Sequence, residues 1–246
     1  MQKNNFLLKY LNYLSERISY NNKVIDYIVK KYIYKLLFHK KLSKKSNTLF
    51  IHIPKNAGTS VIKSNKEISY FGHLKLSELI DYSYFKKEEL ETLKIFCILR
   101  NPFERFYSAY TYFLSDLEKQ KNHPYFFYKI QKEILKYNNF EEFILNFNNF
   151  KYKNTYAFQA QNIYLSNNYK LHIDKIYLNN LEEDYNKVSS SLKLKKIRHK
   201  NKSKKKLNYT DVYTKKTAKI IYQTYEKDFS LYFPQEYSVF ISSLSK

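Results

Sequence analysis

Only two positions in this chain, Gly58 and Gly72, lack a Cβ and can enter the left-handed backbone region without steric cost. Average usage over 246 residues gives roughly 17 glycines and 12 prolines; this sequence has 2 and 4. A chain that avoids both residues so strongly keeps them where the backbone needs positive φ or the closest approach to something. Pro54 and Pro102 directly follow the short apolar runs Thr48 to Ile53 and Leu93 to Leu99, which read as buried strands ending at turns. The punctuation marks two strand-to-helix corners. The expected fold is α/β, a central parallel β-sheet flanked by helices, with strands near 48–53, 94–99 and 175–178.

The first corner reads TLFIHIPKNAGTSVIKS. A strand rich in Leu, Phe and Ile runs into Pro54, Lys55, Asn56, Ala57, Gly58, Thr59 and Ser60, and Val61 and Ile62 then begin an apolar pattern. Such a loop aims unpaired N–H groups and the positive end of a helix dipole at one point, which suits a phosphate or sulfate. Lys55 adds charge, and Thr59 and Ser60 add hydroxyl donors. The bland alternative is an ordinary turn capped by Thr or Ser. At the second corner, LKIFCILRNPFERFYSAYTYFL, Asn101 is a helix cap, Pro102 suits the first helical position, and Glu104 completes a variant of the capping box. Arg100 closes the strand, and Arg105 and Ser108 fall on the helix face that points back toward it. Arg100 paired with a surface carboxylate is the competing reading. Two adjacent parallel strands, each ending in an anion-binding corner, would hold the two ends of a bis-phosphorylated nucleotide in the crevice at their carboxyl edge.

Composition narrows the class. With 43% hydrophobic and 19% aromatic residues the chain buries a core. The single cysteine, Cys97, excludes an internal disulfide and a Cys-rich metal site, so no metal is expected. No run approaches the about 18 apolar residues of a spanning helix, and the N-terminus shows no secretory pattern, which together favour a cytoplasmic protein. The net charge is 44 − 22 = +22, and with 27 Tyr and 19 Phe a nucleic-acid-binding basic protein is one alternative. No RNP, KH, zinc-finger or helix-turn-helix pattern supports it, and the charge is spread along the chain, so no nucleic acid partner is expected. A P-loop nucleotide kinase is the other alternative. Against it, Lys55 precedes Gly58 instead of following it, and no acidic residue ends a strand to hold magnesium.

The two corners together resemble the carbohydrate sulfotransferases that use 3'-phosphoadenosine 5'-phosphosulfate (PAPS). IHIPKNAGTS is similar to that family's 5'-phosphosulfate loop, and ILRNPFERFYSAY to its 3'-phosphate motif of a strand-end Arg followed by a helical Ser. KIYLNNLEEDYNKVSSSLKL resembles the strand and helix after the acceptor region, and HKNKSKKKLNYTDVYTKKTAKIIYQTYEKDFSLYF the C-terminal lid and final helix. The likeness spans about Thr48 to Phe233; Asn56 departs from the small residue often found there. It implies a P-loop-like three-layer fold, PAPS as co-substrate without a metal, and a carbohydrate acceptor, polysaccharide or glycolipid. An acidic acceptor fits a basic cleft, and protein Tyr, lipid and small-molecule acceptors stay open. The implied PAPS-binding residues are Lys55, Asn56, Ala57, Gly58, Thr59, Ser60, Arg100 and Ser108, with Lys202 and Ser203, beside Lys200, as a lid that a solvated charge run also explains.

For the chemistry, the resemblance places a catalytic His or Glu where His73 follows Gly72, fifteen residues after Gly58. His73 is the expected general base, Glu78 and Asp81 are its substitutes, and a helix-capping His is the alternative. Lys55 would stabilise the leaving phosphate. Gln161 resembles a Gln of the family that serves either acceptor or core. Residues 1–47 have no counterpart and form a helical appendage ahead of the catalytic domain, 48–246. Within it, VIDYIVKKYIYKLLF at 24–38 lays Ile25, Ile28, Val29, Tyr32, Ile33 and Leu36 on one stripe. Packing on the domain, peripheral contact with the membrane's inner face, and dimerisation are its three readings. No feature sets an oligomeric state.

Overall fold

The structure is a computed structural model that describes residues 23–28, 31–32, 46–115, 125–166, 170–197 and 209–244. Strands β1 (Thr48–Ile51), β2 (Ser69–Tyr70), β3 (Lys94–Leu99) and β4 (Ile173–Tyr177) form one parallel sheet in the order β2-β1-β3-β4. Phe50 pairs with Phe96, and Ile98 with Ile176. Alternation along the strands splits the core. Leu49, Ile51, Ile95, Cys97 and Leu99 face one large cluster, while Phe50, Phe96, Ile98 and Ile176 face a smaller one. The Cys97 thiol lies fully buried in the larger cluster, and burial pushes its pKa up to about 12, which leaves it inert.

Helices follow in chain order: α1 (Lys23–Ile28), α2 (Gly58–Ser64), α3 (Leu76–Asp81), α4 (Lys87–Glu91), α5 (Pro102–Leu114), α6 (Tyr125–Ile134), α7 (Phe140–Leu145), α8 (Asn162–Leu165), α9 (Leu181–Ser189), α10 (Lys215–Thr224), α11 (Glu226–Tyr232) and α12 (Glu236–Ser243). Val61 of α2 and Tyr185 of α9 cover the smaller face. The larger face carries α5, α7, α10 and α11, whose Phe103, Phe106, Phe143, Ile221 and Phe229 are buried to within 1%. Each such side chain contributes about 1.5–3 kcal/mol by leaving water, so this aromatic layer fixes α5, which carries Ser108 and Tyr112.

β3 falls where the apolar run places it, but β1 stops two residues short of the expected Ile53. The Ile53 N–H turns back to the Ile51 carbonyl at 3.2 Å, which takes His52 and Ile53 off the ladder before Pro54. β4 begins at Ile173, ahead of the expected 175, and β2, with two residues, is too short for any periodic signal. Asn101 caps α5, its Oδ1 accepting the Phe103 N–H at 2.9 Å. The expected capping box is absent: Glu104 reaches Arg100 instead, at 3.0 Å.

β1 connects to β2 on one side while β3 lies on the other, so the carboxyl ends of β1 and β3 form the switch point at which open α/β sheets bind ligands. Among the described residues no helix is long and apolar enough to cross a membrane. Of the amphipathic stretch 24–38 only residues 24–28 and 31–32 are described; Val24 and Ile28 are exposed, and the Tyr27 ring meets Tyr82 edge-on at 5.5 Å. Lys200, Lys202 and Ser203 lie outside the described residues.

Candidate functional site

At the end of β1 the backbone makes two left-handed excursions without glycine, Lys55 at φ 70° and Ala57 at φ 58°. Each costs of order 1–3 kcal/mol and persists only where the surroundings over-determine it. Three side chains do so here. The Arg105 Nε–H donates to the Pro54 carbonyl at 3.1 Å and Arg100 Nη1 to the Lys55 carbonyl at 3.0 Å. The fully buried Asn56 sends its Nδ2 to the Ile98 carbonyl and to Gln161 Oε1, both at 2.7 Å. The loop carbonyls are thus tied inward, and α2 begins at Gly58 with Ala57 as its N-cap and no side-chain cap; the Ser60 N–H closes back on the Ala57 carbonyl at 2.9 Å, which leaves the N–H groups of Gly58 and Thr59 with no acceptor within the helix.

The two glycines serve the two expected purposes, one each. Gly72 adopts φ 63° in open space. Gly58 makes the close approach: a Cβ there would lie 2.0 Å from His52 Cδ2 and 2.1 Å from Nε2. The His52 ring has no room to retreat, being packed against Phe50 at 5.5 Å and His73 at 4.3 Å. Gly58→Ala is therefore expected to lower stability by about 1–3 kcal/mol through overpacking, read as a reduced urea midpoint at unchanged slope. An unshifted midpoint would show that the ring yields freely.

His73 lies between β2 and α3. Its Nδ1–H donates to the His52 carbonyl at 3.0 Å; a carbonyl only accepts, so the tautomer is assigned and Nε2 keeps the lone pair. The ring is held between His52 and Tyr156, the latter parallel to within 6° at 5.4 Å. One edge is open to the cleft, yet enclosure by these neighbours, then the charges of Arg105 and Lys55, hold its pKa below 6.5, against the upward pull of the backbone hydrogen bond. His52, more deeply buried, stays neutral for the same first reason.

Lys55 lies half-buried with its Nζ 3.9 Å above the Tyr112 ring, a cation–π contact. Burial, then the repulsion of Arg100 and Arg105, lowers its pKa to about 7. Arg100 lines the same cleft, with Nη2 on Glu104 at 3.0 Å, so the carboxylate pairing that the sequence left open is present at a guanidinium that still faces the cleft. Ser108 follows two turns along α5. Arg105 is turned under the loop instead, 2% exposed, its Nη1 on the Gln159 carbonyl at 2.7 Å.

Together these residues line a cleft of about 560 Å³, within the usual range for a small-molecule site. Lys55, Ala57, Gly58, Thr59, Ser60, His73, Arg100 and Ser108 all border it. Asn56 does not; its side chain is spent on holding the loop. Glu78 is corrected as a substitute base: its carboxylate accepts the Lys75 N–H at 2.8 Å and caps α3, and neither it nor Asp81 borders the cleft. His52, Tyr112, Tyr156 and the β4–α9 turn, with Leu178, Asn179, Leu181 and Glu182, were not anticipated. Tyr112 was findable, four residues after Ser108 on one helix face; Tyr156 carries no local signal. Among the described residues no group of three His, Cys, Asp or Glu side chains could hold a metal ion. Comparison of the chain with known protein families, with curated proteins and with solved structures finds no match.

Proposed function

We propose that this chain is a PAPS-dependent sulfotransferase on a P-loop-like α/β frame. The observation that carries the reading is the convergence of two cationic corners, Lys55 to Ser60 after β1 and Arg100 with Ser108 after β3, on one cleft that also holds the neutral imidazole of His73. Lys55 in particular is a cation kept short of negative charge, as a site built for an anion requires.

In this reading the first corner takes the phosphosulfate and the second the 3'-phosphate. The acceptor oxygen attacks sulfur in line, its proton passes to His73 Nε2, and the bond from sulfur to the bridging oxygen breaks. The electron pair of that bond leaves with the phosphate, where Lys55 stabilises it, and adenosine 3',5'-bisphosphate is released. A carbohydrate hydroxyl is the proposed acceptor, on a polysaccharide or glycolipid at the cytoplasmic side, with residues 24–38 as a peripheral contact and Lys202 and Ser203 as a lid over the nucleotide. No metal enters this scheme.

A thermal-shift comparison tests the reading. PAPS or adenosine 3',5'-bisphosphate at a hundredfold excess over Kd should add about 2.7 kcal/mol, a rise of several degrees in Tm, with ATP and magnesium giving little. Equal stabilisation by ATP would point to a kinase, and no stabilisation by either PAPS or the bisphosphate would sink the proposal.

A further inference from the structure

We infer that Gln161 is a positioning residue that fixes the spacing between the two corners and so makes the cleft selective for ligands carrying two anionic groups. The inference rests on the proposed two-anion reading of the cleft and names what enforces it. Gln161 is fully buried, just ahead of α8. Its Oε1 accepts from Asn56 Nδ2 at 2.7 Å and from the Arg100 N–H at 3.0 Å, and its Nε2 donates to the Arg100 carbonyl at 2.8 Å. One side-chain amide thereby bridges the loop after β1 and the residue that closes β3.

The amide cannot be turned over, since Nε2 would then confront two donors. Its own position is fixed from behind. The buried Asp228 carboxylate accepts the Gln161 N–H and the Asn162 N–H, both at 2.7 Å, and ties the bridge to α11. Neither corner can shift against the other without breaking one of these hydrogen bonds and leaving a buried polar group unpaired.

Fixed spacing matters only to a ligand that engages both ends. Once one end is bound, the other is presented at high effective concentration, an advantage of about 10²–10⁴ that vanishes when the span is wrong. A ligand with one anionic group uses one corner and gains nothing from the bridge.

The experiment is calorimetric titration of adenosine 3',5'-bisphosphate, adenosine 3'-monophosphate and adenosine 5'-monophosphate into the wild type, Gln161→Met and Asn56→Leu. Methionine keeps length without hydrogen bonds; leucine keeps shape at position 56 but cannot donate, and neither change adds charge beside the cleft. The expected result is a wild-type preference of about 10² or more for the bisphosphate. Each variant should lose that preference by about tenfold or more, with either monophosphate changed by less than about threefold. Asn56→Leu carries the test should Gln161→Met fail to fold. Loss spread equally over all three ligands, or a preference kept in a folded variant, overturns the inference while leaving the two-anion reading standing. A wild type without any preference overturns both.

Discussion

His73→Ala is expected to lower kcat by about 10²–10⁴ while leaving the affinity for adenosine 3',5'-bisphosphate nearly unchanged. The range is what a positioned general base contributes, and the split between kcat and binding follows from geometry, because the corners that would hold the nucleotide do not include the imidazole. The pH profile sharpens the test. His73 acts as a base only when neutral, and its pKa lies below 6.5, so the acid limb of kcat/KM should fall below that value. Lys55 acts only when protonated, and its pKa in the ligand-free protein is about 7, so an alkaline limb should begin there. In kcat the bound nucleotide's charge favours the ammonium and moves the alkaline limb upward. A kcat preserved in His73→Ala refutes the assignment. Glu182, the one carboxylate among the described residues bordering the cleft, would then be the residue to examine in place of Glu78.

Lys55→Ala and Arg100→Ala should each weaken binding of the bisphosphate by about 10²-fold or more, with the fold retained. Removing one partner of a partly desolvated charge pair costs about 2–5 kcal/mol. Arg100→Ala carries a second cost, because its Nη1 also holds the Lys55 carbonyl and with it a left-handed loop residue. Wild-type affinity should itself be pH-dependent. Binding requires the lysine charged, so above about 7 each pH unit should weaken it up to tenfold, until the raised pKa of the complex is passed; below about 7 the dependence flattens. Calorimetry in two buffers of different ionisation enthalpy should register proton uptake near pH 8. Wild-type affinity in Lys55→Ala would contradict the cradle.

Both corners were legible because their signals are local. The apolar runs, the rare prolines and the Asn101 cap lie within a few residues of what they specify, and the structure puts β1, β3 and the start of α5 there. Arg105 shows where local reading stops. Its periodicity points it at the strand end, as for Arg100, but whether the guanidinium reaches water depends on Pro54 and Gln159, about fifty residues away on either side. Gln161 shows it more strongly: its partners lie 61 and 105 residues back in the chain, so its role exists only in the assembled fold. Glu78 sits three residues after Lys75, the spacing of a capping pair, and that signal outweighed its nearness to His73.

The contact between Gly58 and His52 also binds the history of the two positions together. With the missing Cβ 2.0 Å from the imidazole, neither site can drift alone: a side chain at 58 needs a smaller residue at 52, and a slimmer residue at 52 frees 58 to vary. Relatives of this chain should therefore trade these two positions as a pair, with Gly kept wherever a ring stands at 52. That co-variation would trace the cleft through sequences whose other residues have diverged beyond alignment.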